Sequence, residues 1–461
     1  MNTLTEKQNE SYTLNMRKAV PVILILFVFS LIVDNSFKII SVDLANDFGL
    51  SPTTVSWQVT LAGLVIGIGA VVYASLSDTI SVRTLLTAGI VLICTGSLLG
   101  FIFQQSYMLI VIARIIQSAG LAATETLYII FVAKHLPKEE QKKFLGFSTS
   151  AYSIALVIGT LTGGYVSTYF HWTTLFLIPL LSLILLPFIR KMLPKEASKG
   201  FKVDFIGLLL VAAVAASLML YVTKFNWITL GLFVLMFVLF LLFISKSEKA
   251  FVRLSFFKNK RMLSVLAVAF IIYTIQLAYI FVFPFLVGSV YGMKLDTISL
   301  LFIPAYVLAT IIGAMSGKIA KVLGNKQSIT LALLLIAGSL LVGGLFIDTS
   351  VWVFVISMIL FSGSFALMYA PMLDTMIGTI SKEHSGAALG FYNLVLNIAA
   401  SIGIAYTAAM MDSKLLQQNI VGAAREGSIS LYSNVLFILT FIAVIALVVY
   451  WLLVARKVKS V

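Results

Sequence analysis

The chain has 461 residues, of which 60% are hydrophobic and only 11% are charged. Soluble domains carry about a quarter charged residues, so this composition excludes a soluble globular protein. One cysteine and three histidines exclude a disulfide framework and a thiol metal site, and they argue against a haem or di-metal enzyme.

The apolar residues form fourteen blocks, each long enough to cross a hydrocarbon core of roughly 30 Å as a helix. They do not alternate apolar and polar residues, which excludes a membrane β-barrel. The first block follows a polar arm and has no small-residue cleavage site, so we expect a retained span. The predicted spans are 19–40, 54–76, 85–103, 107–133, 147–169, 173–189, 205–223, 227–244, 263–287, 297–316, 327–347, 351–377, 385–410 and 431–454.

The charge of +14 is explained by the positive-inside rule and does not indicate nucleic-acid binding. With the N-terminus in the cytoplasm, 26 of the 32 Lys and Arg residues fall on the cytoplasmic side and 4 on the other. Lys38 and Arg114 complete the count inside spans. We therefore expect a multi-pass membrane protein with both termini in the cytoplasm.

Two basic loops flank a tight apolar hairpin, with six spans before it and six after it. The weak similarity of the two sets of six suggests the pseudo-repeat of transporters. The predicted organisation is all-α, with 14 spans as 6 + 2 + 6. Its parts are a cytoplasmic arm (1–18), an N-terminal bundle (19–200), an inserted hairpin with its basic loops (201–262) and a C-terminal bundle (263–461).

Four charged side chains lie well inside predicted spans, where a charge near the bilayer centre costs about 2.5–3.5 kcal/mol. By the helical rise, Asp34 lies ~9 Å and Arg114 ~10 Å from the same surface, so they can pair if their helices touch. Glu125 follows Arg114 on nearly the same face, ~16 Å further in. With Gln117 and Ser118, this face suggests a proton or cation path.

A simpler interpretation stays open for part of this cluster. Asp34 and Lys38 are spaced i,i+4 and can neutralise each other within one helix. Lys38 can also extend to the outer surface. Asp374 lies near the inner end of its span and is interpreted as interfacial.

The polar residues in the spans of the second half are mostly uncharged. They either line a cavity or join helices by hydrogen bonds. We assign a substrate cavity to a set drawn from both halves: Gln58, Gln117, Tyr273, Gln276, Asn393 and Asn397.

Several stretches together resemble the 14-span drug/proton antiporters of the major facilitator superfamily, in particular the tetracycline/proton antiporters of Gram-positive bacteria of the staphylococcal chromosomal type. The match covers the whole chain, and its fourth-span and fifth-span stretches are the more specific. These stretches are Asp34 with residues 44–48, residues 73–78 with Arg83, residues 113–120 around Arg114, residues 159–164 with Gly159, Gly163 and Gly164, and the pair His171 and Trp172.

The resemblance implies a bacterial plasma-membrane protein with the major facilitator fold, alternating access of two halves, and proton coupling through Asp34 and Arg114. The polar face of the fourth span adds Glu125 as the inner candidate for proton coupling. The resemblance also implies that Asp78 and Arg83 act in gating together with Gly159, Gly163 and Gly164. The chain departs from the pattern as well. Ala74 and Ser81 replace two glycines of the loop, and Thr160 replaces a proline. Leu156 and Ala400 stand where those exporters carry glutamates.

We therefore expect proton-coupled efflux of tetracycline-like drugs, with Mg²⁺ or another divalent cation travelling with the drug. The alternatives are a broader exporter of hydrophobic compounds such as dyes or fatty acids, and a proton-coupled uptake symporter. A membrane-embedded enzyme or a host-contact protein is disfavoured, because there is no clustered catalytic site and only one long outer loop. We expect no catalytic residue, no protein-bound metal or cofactor and no nucleic acid. The expected partners are protons, a small-molecule drug and the lipid bilayer, with the protein acting as a monomer.

Overall fold

A computed structural model describes residues 2–77, 79–193, 204–247, 259–377, 385–419 and 427–456. Every regular element in those ranges is helical, which confirms the predicted all-α fold. Fourteen of the helical segments found there are long and apolar enough to cross a membrane, as predicted.

The α-helices are numbered in chain order. They are Asn2–Ile39 (α1), Ser41–Phe48 (α2), Pro52–Leu76 (α3), Val82–Ile102 (α4), Tyr107–His135 (α5), Lys138–Phe170 (α6), Leu186–Met192 (α7), Phe205–Lys224 (α8), Trp227–Lys246 (α9), Lys260–Tyr291 (α10), Leu295–Leu301 (α11), Ile303–Leu345 (α12), Val351–Ile377 (α13), Ser385–Met411 (α14) and Gly427–Tyr450 (α15).

The chain forms two compact units. The first consists of Met1–Lys38 and Ile68–Val203, and the second of Ile39–Gly67 and Asp204–Val461. The segment 39–67 thus groups with the second unit, whereas we expected it within a bundle of residues 19–200. The reason is close packing of α3 on α14, where a Cβ added to Gly63 would lie 2.8 Å from Ser401 Oγ, and one added to Gly67 would lie 2.7 Å from Asn397 Cβ.

In the first unit, α1 and α5 run antiparallel and share a core. Phe27 stacks on Tyr128 with ring centroids 5.2 Å apart, and both rings are buried. Glycines bring α4 close to α5, because a Cβ on Gly96 would lie 2.5 Å from the backbone N of Gln117. The sixth predicted span is not a continuous α-helix. It consists of two 3₁₀ segments, Trp172–Phe176 and Ile178–Leu185, followed by α7.

The predicted hairpin is confirmed as α8 and α9, which pack on each other. Asp204 caps α8 by accepting a hydrogen bond from Gly207 N, and Asn226 caps α9 by accepting one from Thr229 N. Phe225 makes the turn with a left-handed φ of 45°. Because α8 also packs on α14, the hairpin belongs to the second unit.

Candidate functional site: a buried charge cluster

The candidate site lies in the first unit, where α1 meets α5 and α6. Thr124 Oγ1 of α5 donates to Ser30 Oγ of α1 at 2.5 Å, which fixes the register of the two helices. Gly159 of α6 allows the third helix to approach, because a Cβ there would lie 2.7 Å from Ile32 O. Ser36 Oγ donates to Gly159 O at 2.9 Å and ties α1 to α6.

Asp34 is the centre of the cluster, and each of its carboxylate oxygens has a cationic partner. Oδ2 lies 2.5 Å from Lys38 Nζ, one turn along α1. Oδ1 lies 3.3 Å from Arg114 Nη2 on α5. The interhelical pair expected from equal depth and the intrahelical pair offered as the simpler interpretation therefore both exist. Lys38 turns back toward Asp34, with 21% of its side chain exposed.

Arg114 is among the largest fully buried side chains of the described residues, with 1% of its surface exposed. Its guanidinium carbon lies 4.3 Å from the centroid of the Phe37 ring, and Nη1 donates to Gln117 Oε1. Gln117 Nε2 in turn donates to Ser97 Oγ at 2.8 Å. Gln117, which we assigned to a substrate cavity, is fully buried in this structure, and its two hydrogen bonds orient Arg114.

Glu125 differs from Asp34 in its surroundings. Its Oε1 is buried, and within the described ranges it has neither a hydrogen-bond partner nor an ion-pair partner. Asp34 and Lys38 of α1 interact with Glu125 electrostatically, and so does Tyr152 of α6. The described cluster therefore contains two carboxyl groups and two cationic side chains, and its formal charge is zero when both carboxyl groups are ionised.

The predicted gating residues that the structure describes lie in α4 and α6. Gly163 and Gly164 are buried in α6, and Gly159 forms the contact described above. Arg83 is half-buried in the first turn of α4, where its carbonyl accepts from Thr87 Oγ1 at 2.8 Å. Asp78 lies outside the described residues. Asp374 is exposed and accepts from Asn325 Nδ2 at 2.6 Å.

The second unit contains five of the residues assigned to the substrate cavity. Gln276, Asn393 and Asn397 are half-buried, and Asn397 Nδ2 donates to Asn393 O at 2.9 Å. Tyr273 is buried with its ring edge-on to Phe365, at a centroid distance of 5.3 Å. Gln58 is buried and donates to Ser41 Oγ at 3.2 Å.

Residues that the sequence analysis did not select complete the cluster. Ser30, Thr124 and Tyr152 are neutral, and hydroxyl groups are too common in membrane helices to mark a site. Phe37 is one of the chain's 34 phenylalanines. Its position three residues after Asp34 was the only signal that it shares a helix face with the acid.

The comparisons with known proteins agree with this fold. The sequence profile of the Major Facilitator Superfamily matches residues 22–404. The chain is 24% identical over 465 residues to the quinolone resistance protein NorB of Staphylococcus aureus (strain bovine RF122 / ET3-1), with 96% of this chain and 98% of that protein covered. It is 22% identical over 404 residues to the riboflavin transporter RibZ of Clostridioides difficile (strain 630), with 86% and 88% covered.

Solved transporter structures share the architecture at low sequence identity. The POT family transporter PepTSo superposes with a TM-score of 0.70 at 13% identity, with 95% of this chain and 98% of that chain covered. A D-xylose–proton symporter superposes with a TM-score of 0.68 at 14% identity, with 98% and 100% covered. The helical fold, the fourteen spans and the profile match lead to one conclusion: the chain belongs to the Major Facilitator Superfamily and is a transporter, not an enzyme.

Proposed function

We propose that this transporter exports a drug-like small molecule across the bacterial plasma membrane in exchange for protons, with both termini in the cytoplasm. The observation that carries the proposal is the cluster of Asp34, Lys38, Arg114 and Glu125 within the spans of the first unit. Ionisable groups are expensive at this depth, and in transporters they characteristically serve proton or ion pathways.

Exchange requires that the protonated and substrate-bound forms exclude each other. A carboxylate near the bilayer centre meets this requirement, because it binds either a proton or a cationic group of the substrate. Within the second unit, the half-buried amides Gln276, Asn393 and Asn397 offer hydrogen-bond donors and acceptors for neutral polar groups. The first unit then handles the proton, and the second contributes to substrate recognition.

For the substrate we propose tetracycline as its complex with Mg²⁺, on the resemblance of residues 113–120 and 159–164 to the tetracycline antiporters. NorB is named for quinolone resistance and RibZ for riboflavin transport. Tetracyclines, quinolones and riboflavin are all planar polycyclic molecules, so the three compounds form the panel that tests the substrate.

The test uses everted membrane vesicles that are energised by respiration, with the pH gradient followed by quenching of a fluorescent weak base. Tetracycline with Mg²⁺, norfloxacin, riboflavin and a quaternary ammonium dye are added in separate runs. Arg114→Ala tests the cluster. Asp374→Asn is the matched control, because it removes a charge from a span outside the cluster.

The proposal is supported in full if tetracycline with Mg²⁺ dissipates the pH gradient in wild type and in Asp374→Asn but not in Arg114→Ala. Dissipation by another member of the panel keeps proton exchange and replaces the substrate. If no compound alters the gradient while immunoblots find equal protein in all membranes, proton-coupled export is wrong.

A further inference from the structure

The two acids of the cluster differ in what an added proton would do. Both oxygens of Asp34 are occupied by cations, at 2.5 Å from Lys38 and 3.3 Å from Arg114. A proton on Asp34 would break its ion pairs with Lys38 and with the fully buried Arg114, and breaking a buried pair in this way is strongly destabilising. Asp34 is thus held in its ionised form.

Both cationic partners of Asp34 belong to the first unit. Lys38 lies one helical turn from Asp34 on α1, and Arg114 belongs to the same compact unit. The carboxylate and both of its cationic partners are therefore held within one packed unit.

Glu125 has the opposite properties. Its buried Oε1 has no donor within the described part of the chain, so this oxygen is free to bind a proton. The groups that face it are Asp34 and Lys38 from α1 and Tyr152 from α6, with Arg114 further along its own helix. Asp34 carries the same charge as an ionised Glu125, and Lys38 carries the opposite charge.

From these contacts we infer that Glu125, and not Asp34, gains and loses the exchanged proton, while Asp34 remains the permanent counter-ion of Lys38 and Arg114. That this proton is exchanged for a substrate rests on the proposed function. In the step itself, a carboxylate oxygen of Glu125 takes a proton from hydronium, forming an O–H bond and leaving water. On the other side of the membrane the proton returns to water.

Counting charges then limits the stoichiometry and the substrate. The cluster is neutral with Glu125 ionised and carries one positive charge with Glu125 protonated. If a substrate binds the Glu125 carboxylate through a single cationic group, the total charge of the cluster is again one positive charge, as it is with a bound proton. One proton therefore exchanges for one cationic group, and a substrate with two permanent positive charges is disfavoured.

The test is covalent labelling of the purified full-length protein with dicyclohexylcarbodiimide. This apolar reagent adds to protonated carboxyl groups in membrane-buried sites and leaves a stable N-acylurea that mass spectrometry can locate. It needs no substrate, so its result is independent of whether the proposed export is correct. Labelling is performed over a range of pH on wild type, Glu125→Gln and the matched control Asp374→Asn.

In wild type we expect label on Glu125 that increases as the pH falls, and no label on Asp34. The label on Glu125 should be lost in Glu125→Gln and should match wild type in Asp374→Asn. Label on Asp34, alone or together with Glu125, overturns the inference. So does the absence of label on Glu125, or label that is constant with pH, because a group that never changes its protonation cannot exchange a proton. The decisive reading comes from wild type and does not depend on the folding of a variant.

Discussion

Arg114 on α5 contacts Asp34 on α1 with Nη2 and Oδ1 3.3 Å apart, while 1% of the arginine surface is exposed. The contact joins two helices at a depth where an unpaired charge is costly. Because Lys38 shares the same carboxylate, the removal of Asp34 and the removal of either cation have different consequences.

Asp34→Asn is expected to be more destabilising than Arg114→Gln. The first substitution removes the carboxylate that pairs with both Lys38 and the fully buried Arg114, and breaking a buried pair costs about 3–5 kcal/mol. The second leaves Asp34 with Lys38. Combining the two substitutions removes the surplus charge, so the double variant should recover part of the loss. Thermal unfolding of the purified proteins in detergent measures all three, and a double variant no more stable than Asp34→Asn would contradict the pairing.

Gly159→Ala is expected to separate α6 from α1. The new Cβ would lie 2.7 Å from Ile32 O and 2.8 Å from Asn35 Cβ, and overpacking of this kind costs about 1–3 kcal/mol. The matched control is Gly338→Ala in α12, where nothing lies within 4 Å of the added Cβ. The control should unfold at or above the wild-type temperature, whereas Gly159→Ala should unfold below it. Equal shifts in both would mean that close packing at Gly159 is unimportant.

Gly63→Ala tests the packing of α3 on α14 within the second unit. The added Cβ would lie 2.8 Å from Ser401 Oγ, so the substitution should lower the unfolding temperature. Ser401→Ala removes that oxygen and should have a small effect alone. Because the clash involves one atom, Gly63→Ala with Ser401→Ala should unfold near the wild-type temperature. A double variant with the sum of the two single effects would place the strain elsewhere.

The sequence predicted the coarse architecture well because membrane insertion leaves strong local signals. Span length follows from bilayer thickness, and the turn at Phe225 follows from the polar residues around it. The depth argument also predicted that Asp34 and Arg114 could meet. Which helices touch, however, depends on small residues such as Gly159 and Gly96. Their packing partners are remote in the chain and leave no local pattern.

The same limit applies to residue roles. Gln117 lies on the polar face of α5 and was assigned to a substrate cavity, yet its amide bridges Arg114 and Ser97. A sequence specifies that an amide is in the membrane but not whether its donors are already used. Likewise, the sequence places both Asp34 and Glu125 inside predicted spans. Only the structure distinguishes the carboxylate with two cationic partners from the one with none in the described ranges.

A single exchangeable carboxyl also determines how export responds to membrane potential. If one proton enters per substrate, export of a permanent monocation moves no net charge, and only the pH gradient drives it. Export of a zwitterion moves one net charge inward. A potential of 100 mV then adds about 2.3 kcal/mol, which is roughly 50-fold in the accumulation ratio.

Proteoliposomes with a potassium gradient and valinomycin set the potential at a constant pH gradient. Ethidium serves as the permanent monocation and norfloxacin as the zwitterion. We expect ethidium export to be unchanged by the potential and norfloxacin export to increase with it. Glu125→Gln should abolish the exchange of both substrates for protons. If ethidium export also increased with the potential, at least two protons would enter per cycle. A second carboxyl would then have to exchange its proton, and the only other described carboxylate in the cluster is Asp34, which its two cations hold ionised.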